Sequence, residues 1–331
     1  MPSSNFAILI YSPNVFQSYG HNYDYVHGLG VALIKHNIRV HVLGWRGPLQ
    51  LPLPIVAHQV ERRLPSIARS RLKKLEGLGD IIWGINRLLA ERQLTREAYK
   101  IAKSMPNIVF LFETFEYLAL RSLISKPPLK GNYACIFHDT SFDTSHQSLV
   151  AALYKGMMVR NPARAILAQA KTAYVHGEKM RQNLLQTLGI AVESEVASKI
   201  HVLPYGAPHP DTIAVPDRVE ARRRLGLPAD EYILLAFGTL RRDKDYELML
   251  QGLAATTGWR LLFAGPEGDF TYEDLRRRTV ELGIGNRITT FESFIDANAQ
   301  ADFFAASDAV ACLYQKKFAM RAAPPNVHAP F

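Results

Sequence analysis

The stretch Ile233–Leu250, ILLAFGTLRRDKDYELML, sets the organisation of the chain. It opens on Ile233-Leu234-Leu235-Ala236-Phe237, an unbroken apolar run that suits a strand buried on both faces of a parallel sheet. Gly238 ends the run. The polar turn Thr239-Leu240-Arg241-Arg242-Asp243-Lys244-Asp245 follows, and Tyr246, Leu248, Leu250 and Leu253 then mark a helix packing back on the sheet. Such a unit places backbone N–H groups, a helix N-terminus and fixed cations at the carboxyl edge of a sheet, where they stabilise a di-anionic phosphate. An ordinary βα connection with a solvated charged turn has the same outline.

Gly238, Arg241 and Lys244 stand at the spacing Gly-x-x-Arg-x-x-Lys. This resembles the signature that opens the C-terminal domain of retaining glycosyltransferases of family 4, a GT-B class that uses nucleotide-sugar donors. The resemblance implies that Gly238, Arg241 and Lys244 bind the donor's diphosphate. Many relatives carry the arginine directly after the glycine, where this chain has Thr239; Arg241 takes that role here, with Arg242 as second choice. The fold implied is α/β, with two Rossmann-like doubly wound parallel-sheet domains facing a cleft. Residues 1–206 form the N-terminal, acceptor-side domain, 207–219 the linker, and 220–331 the nucleotide-sugar-binding domain. No cofactor or metal is expected beyond the nucleoside-diphosphate-sugar itself.

A chain of 331 residues suits two such domains, and its 48% hydrophobic and 21% charged composition predicts no sizeable disordered region. Cys135 and Cys312 lie far apart in apolar runs and read as buried thiols of a reducing cytosol. No secretion signal or apolar run of membrane-spanning length is present, so a cytoplasmic location is expected. The net charge of +9 calls for an anionic partner, and no nucleic-acid-binding motif accompanies it. Six basic and no acidic residues fall within Arg62–Lys74, with apolar residues and Trp83 following up to Leu89. Residues 62–89 therefore read either as a segment lying on an anionic membrane or as a surface helix covering the N-terminal sheet.

Phe6–Tyr11, Ile38–Leu43, Asn107–Phe112 and Tyr133–Phe137 read as buried strands, with a helix over Tyr23–Ile34. The first loop lacks Gly-x-Gly-x-x-Gly, which argues against a dinucleotide dehydrogenase. Gly20, at the start of the first helix, corresponds to a glycine-containing loop that approaches the sugar or diphosphate in the family. His138 follows the strand Tyr133–Phe137, and the resemblance places such a histidine beside the reacting sugar carbon. It is the catalytic candidate; a histidine capping the next helix is the alternative. Thr172–His176 with the helix ending at Leu188-Gly189, and the Lys199–Gly206 segment, resemble the family's N-domain border.

In the second half, Trp259–Gly265, Arg287–Phe291 and Asp308–Leu313 read as strands, and Tyr272–Leu282 and Ala301–Ser307 as helices. The resemblance makes Phe294 and Ile295 the contacts of the nucleotide base. Beyond Tyr314 the text departs from the family, and two adjacent prolines oppose the next helix, so the second domain is expected to be incomplete. The function implied is transfer of a sugar, with retention, to a glycan or lipid-linked acceptor, in cell-surface polysaccharide synthesis. A truncated relic that binds a glycan, membrane or partner is the alternative, and a sugar-nucleotide epimerase of the same architecture is a third reading.

Overall fold

The computed structural model describes residues 6–15, 21–65, 67, 78–105, 107–122, 132–138, 140, 160–204, 216–268 and 270–315. They fall into two compact units, Met1–Gly206 and Ala207–Phe331. Most of the expected linker, residues 207–219, and everything beyond residue 315 lie outside the described residues.

The first unit is built on seven strands: β1 (Ala7–Tyr11), β2 (Arg39–Trp45), β3 (Val56–Val60), β4 (Ile108–Phe112), β5 (Tyr133–Phe137), β6 (Thr172–Val175) and β7 (Ile200–Val202). Their order is β3-β2-β1-β4-β5-β6-β7, and every neighbouring pair is parallel. The helices are α1 (His21–Lys35), α2 (Leu78–Ser104), α3 (Glu116–Ser122), α4 (Asn161–Gln169), α5 (Glu178–Leu188) and α6 (Glu195–Ser198). Both faces of the sheet are covered, which explains the continuous apolar text of β1, β4 and β5. On one face Leu94, Ile166, Leu184 and Leu185 join Leu9, Phe110, Phe112 and Tyr133. On the other, Tyr25 and Val26 of α1 meet Ile10, Val40, Val42 and Ile136. The chain order reverses between β1 and β4, the place where open α/β sheets hold ligands at their carboxyl ends.

The second unit repeats the scheme. Helix α7 (Arg218–Leu225) precedes β8 (Tyr232–Phe237), then come α8 (Tyr246–Ala254), β9 (Trp259–Ala264), α9 (Tyr272–Glu281), β10 (Ile288–Phe291), α10 (Ala297–Ala306) and β11 (Ala309–Val310). The sheet is parallel, in the order β10-β9-β8-β11. Its two faces carry separate apolar clusters, Met249, Leu253, Leu261, Phe263 and Tyr272 on one side, Leu235, Leu262, Ile295 and Phe303 on the other.

Two expectations change, and one strand was not expected. The last strand spans two residues, Ala309–Val310, in place of Asp308–Leu313. Cys312 lies beyond it and is exposed, so only Cys135 is a buried thiol. Strand β3, Val-Ala-His-Gln-Val, has no counterpart in the apolar pattern because it is an edge strand with one paired neighbour and largely exposed side chains.

Candidate functional site

The turn after β8 is tied to the loop after β9 by glycines. Gly265 has φ +148°, and a Cβ there would come within 2.5 Å of the Gly238 carbonyl oxygen. The amide of Gly238 donates to Ala264 O at 2.8 Å, and that of Leu240 to Pro266 O at 2.9 Å. Lys244 reaches back across this turn. Its Nζ donates to Phe237 O at 2.7 Å, at the carboxyl end of β8. Burial, helped by the nearby Arg241 guanidinium, pulls its pKa down to about 8.

Arg241 behaves differently. It is exposed and forks onto Asp243, with Nε 3.0 Å from Oδ1 and Nη2 on Oδ2. Arg242, the second choice, lines a cavity of about 560 Å³ together with Lys244, Tyr246, Glu247, Phe270 and Arg278. Five amides of the turn are also committed. Besides Gly238 and Leu240, Arg241 N donates to the Tyr246 hydroxyl, Lys244 N to Arg241 O and Asp245 N to Leu313 O. Asp245 caps α8 by accepting from Leu248 N at 3.2 Å. A phosphate here would meet side-chain cations; those five amides already have acceptors.

In the first unit, four strand ends converge. Ser12 follows β1, Glu113 follows β4, His138 follows β5 and His176 follows β6. His176 Nδ1 lies 3.1 Å from Leu203 O, and its Nε2 lies 2.9 Å from His138 Nδ1. His138 Nε2 is 3.4 Å from Glu113 Oε1. The Ser12 hydroxyl donates to the other carboxylate oxygen, Oε2. Tyr25 of α1 sets its ring edge-on to both imidazoles, at 5.2 and 5.4 Å. Burial first, then Glu113, raises the Tyr25 phenol above its usual pKa, so it stays neutral. The Glu113 side chain is 1% exposed and that of His138 25%. The imidazole of His138 thus has one side in a polar network and part of its surface open. Asp139 lies outside the described residues, and Thr140 accepts from Asn183 Nδ2 of α5, at 2.7 Å through its carbonyl.

Gly20 lies outside the described residues. Phe294 is half-exposed, whereas Ile295 is buried in the apolar cluster with Ala221 and Phe303. The Ile295 side chain packs the sheet, while that of Phe294 is open. Within residues 62–89, Arg62 stacks over Trp45 at 5.6 Å and Nη2 donates to Asn86 Oδ1 at 3.1 Å. Arg87 stacks over Trp83 and pairs with Glu116, while Ile85 and Leu89 are exposed. Residues 68–77 of that segment lie outside the described ones. No helix among the described residues is long and apolar enough to cross a membrane.

The arrangement of both sheets, with polar groups at their carboxyl ends, is the doubly wound scheme of open α/β sheets. No protein-family model matches the chain, and no curated protein matches its sequence. Solved structures do match. A sucrose-phosphate synthase from Thermosynechococcus elongatus superposes with a TM-score of 0.61 at 16% identity, over 92% of this chain and 74% of that one. The catalytic domain of starch synthase IV from Arabidopsis thaliana, bound to ADP and acarbose, gives 0.62 at 13% identity, over 92% and 77%. Anabaena HepE in complex with UDP and glucose gives 0.56 at 14% identity, over 92% and 73%. The fold is that of the GT-B glycosyltransferases.

Proposed function

We propose that the chain is a glycosyltransferase that takes its sugar from a nucleoside diphosphate. The observation that carries this is Lys244, a half-buried ammonium at the carboxyl end of β8 in a fold shared with structures that hold UDP or ADP. Breaking a glycosidic bond to a diphosphate requires neutralising the departing charge, and a preorganised cation in a partly dehydrated setting does this best. Arg241 or Arg242 supplements it, and His138 acts on the sugar. Retention of configuration, a glycan or lipid-linked acceptor and a place in cell-surface polysaccharide synthesis belong to the same proposal.

Titration calorimetry with UDP, GDP and ADP, and then with their glucose and mannose conjugates, tests it. Lys244→Ala is expected to weaken nucleoside diphosphate binding by about 10- to 100-fold, the value of a charge-assisted hydrogen bond. His138→Ala should leave diphosphate binding within about twofold and remove sugar transfer. Equal binding by wild type and Lys244→Ala would overturn the assignment. Binding without turnover on any donor would instead select a non-catalytic sugar-nucleotide-binding protein.

A further inference from the structure

Hydrogen positions in the first unit's polar network follow from what each partner accepts. A carbonyl only accepts, so the His176 Nδ1 that faces Leu203 O at 3.1 Å carries a hydrogen. His176 is 5% exposed, and burial favours the neutral ring. Its Nε2 then presents a lone pair to His138 Nδ1, 2.9 Å away, which must donate. That leaves His138 Nε2 as the ring atom opposite Glu113 Oε1, at 3.4 Å. Both atoms are buried, and their alignment is too poor for a hydrogen bond, so the contact between them is electrostatic. The couple is either an Nε2–H over a carboxylate or an imine nitrogen over a carboxylic acid. Ser12 holds the remaining carboxylate oxygen, and the neutral Tyr25 ring walls the two imidazoles from α1.

We propose that His176 is a positioning residue that holds His138 in its Nδ1–H form and thereby makes Nε2, opposite Glu113, the atom that exchanges a proton. Moving that proton from Nε2 to Glu113 Oε1 turns imidazolium–carboxylate into imidazole–carboxylic acid, with no change in net charge. Nε2 and Oε1 are both buried, so the exposed quarter of the His138 side chain lies elsewhere on it. The use of that proton in sugar transfer rests on the function proposed above; the hydrogen on Nδ1 does not.

Long-range proton–nitrogen correlation spectra of the full chain labelled with nitrogen-15 histidine read this directly. Wild type is expected to show His138 with a hydrogen on Nδ1 at neutral pH. His176→Phe should redistribute the His138 tautomers, shift the pH profile of transfer and lower kcat by about 10-fold or more while KM for the donor moves less than twofold. In His176→Gln the amide oxygen accepts from Nδ1, and the wild-type tautomer and profile should largely return. A neutral Nε2–H His138 in wild type overturns the proposal, as does a glutamine variant no nearer wild type than the phenylalanine one. If no donor is turned over, only the transferase reading fails, because the spectra still decide the tautomer. If His176→Phe fails to fold, wild type and His176→Gln decide alone.

Discussion

Burial strips water from the Lys244 ammonium, and the Phe237 carbonyl returns one hydrogen bond in its place. The balance is unfavourable to the cation, as its pKa near 8 records. The ordinary value is about 10.4. The unfolded chain therefore holds more protons than the folded one between those two values, and stability rises with pH across that window. Below pH 8 the folded protein bears the cost of a half-buried charge. Lys244→Met should therefore raise stability by about 1 kcal/mol at pH 7 while losing diphosphate binding, checked by urea denaturation beside calorimetry. The same value makes binding pH-dependent: affinity for a nucleoside diphosphate should fall as pH rises through about 8, and a flat profile to pH 9.5 would count against Lys244 as its holder. Sequence spacing put this lysine at the strand end, and its Nζ lies there against Phe237 O. It said less of Arg241, whose guanidinium is captured two residues on by Asp243, a contact that depends on the shape of the turn. The network of Ser12, Glu113, His138 and His176 was legible only in part. Each is the first polar residue after a buried run, but which strand ends meet is decided by strand order, and no local pattern encodes that.

Among elements, the continuous apolar strands and the glycine-ended helices were the legible ones. Gly226 and Gly189 close α7 and α5 in the left-handed region, as helix-ending glycines do. Gly265 has a different task, close backbone approach to Gly238, and alanine substitutions should separate the two. Gly226→Ala meets open space and should cost about 1 kcal/mol for its φ alone. Gly265→Ala drives a methyl into the Gly238 backbone and should cost more than about 2 kcal/mol, read from denaturation midpoints. The edge strand β3 was illegible because its text is polar, and the structure shows what holds it. His58 Nε2 sits 2.9 Å from His41 Nδ1 on β2, with the rings stacked at 5.2 Å. Burial lowers the pKa of both, and at His41 the neighbouring His58 and then Arg39 add to it. The unfolded chain then takes up protons first as pH falls through the ordinary histidine value of about 6.5. The pair's contribution is complete above that pH and is lost below it. Urea midpoints at pH 7.5 and 5.5 should differ more for wild type than for His41→Val.

At the scale of the whole molecule, two parallel sheets each carry an apolar cluster on either face, and each unit has its own polar fastening. In the second unit it is Asp308. Its Oδ2 accepts from Arg222 Nη2 and from Ile233 N, both at 2.7 Å, while Arg218 reaches Oδ1. Arg222, 5% exposed, also donates to Ala306 O and Ala229 O, so α7, β8 and the end of α10 share one ion pair. Asp308→Ala strands a buried guanidinium and should destabilise this unit by about 3–5 kcal/mol, seen as faster amide exchange in β8 and β9. The run Arg222-Arg223-Arg224 concealed this, since nothing in three adjacent arginines tells which one turns inward. The order of strands in the first unit has a consequence for the growing chain. Four side chains drawn from the ends of β1, β4, β5 and β6 cannot meet until β6 has joined the sheet, and the hydrogen of His176 has no carbonyl to seek until Leu203 has left the ribosome. The imidazole couple is thus among the last things the nascent unit acquires, and its appearance in a spectrum would time the completion of that sheet.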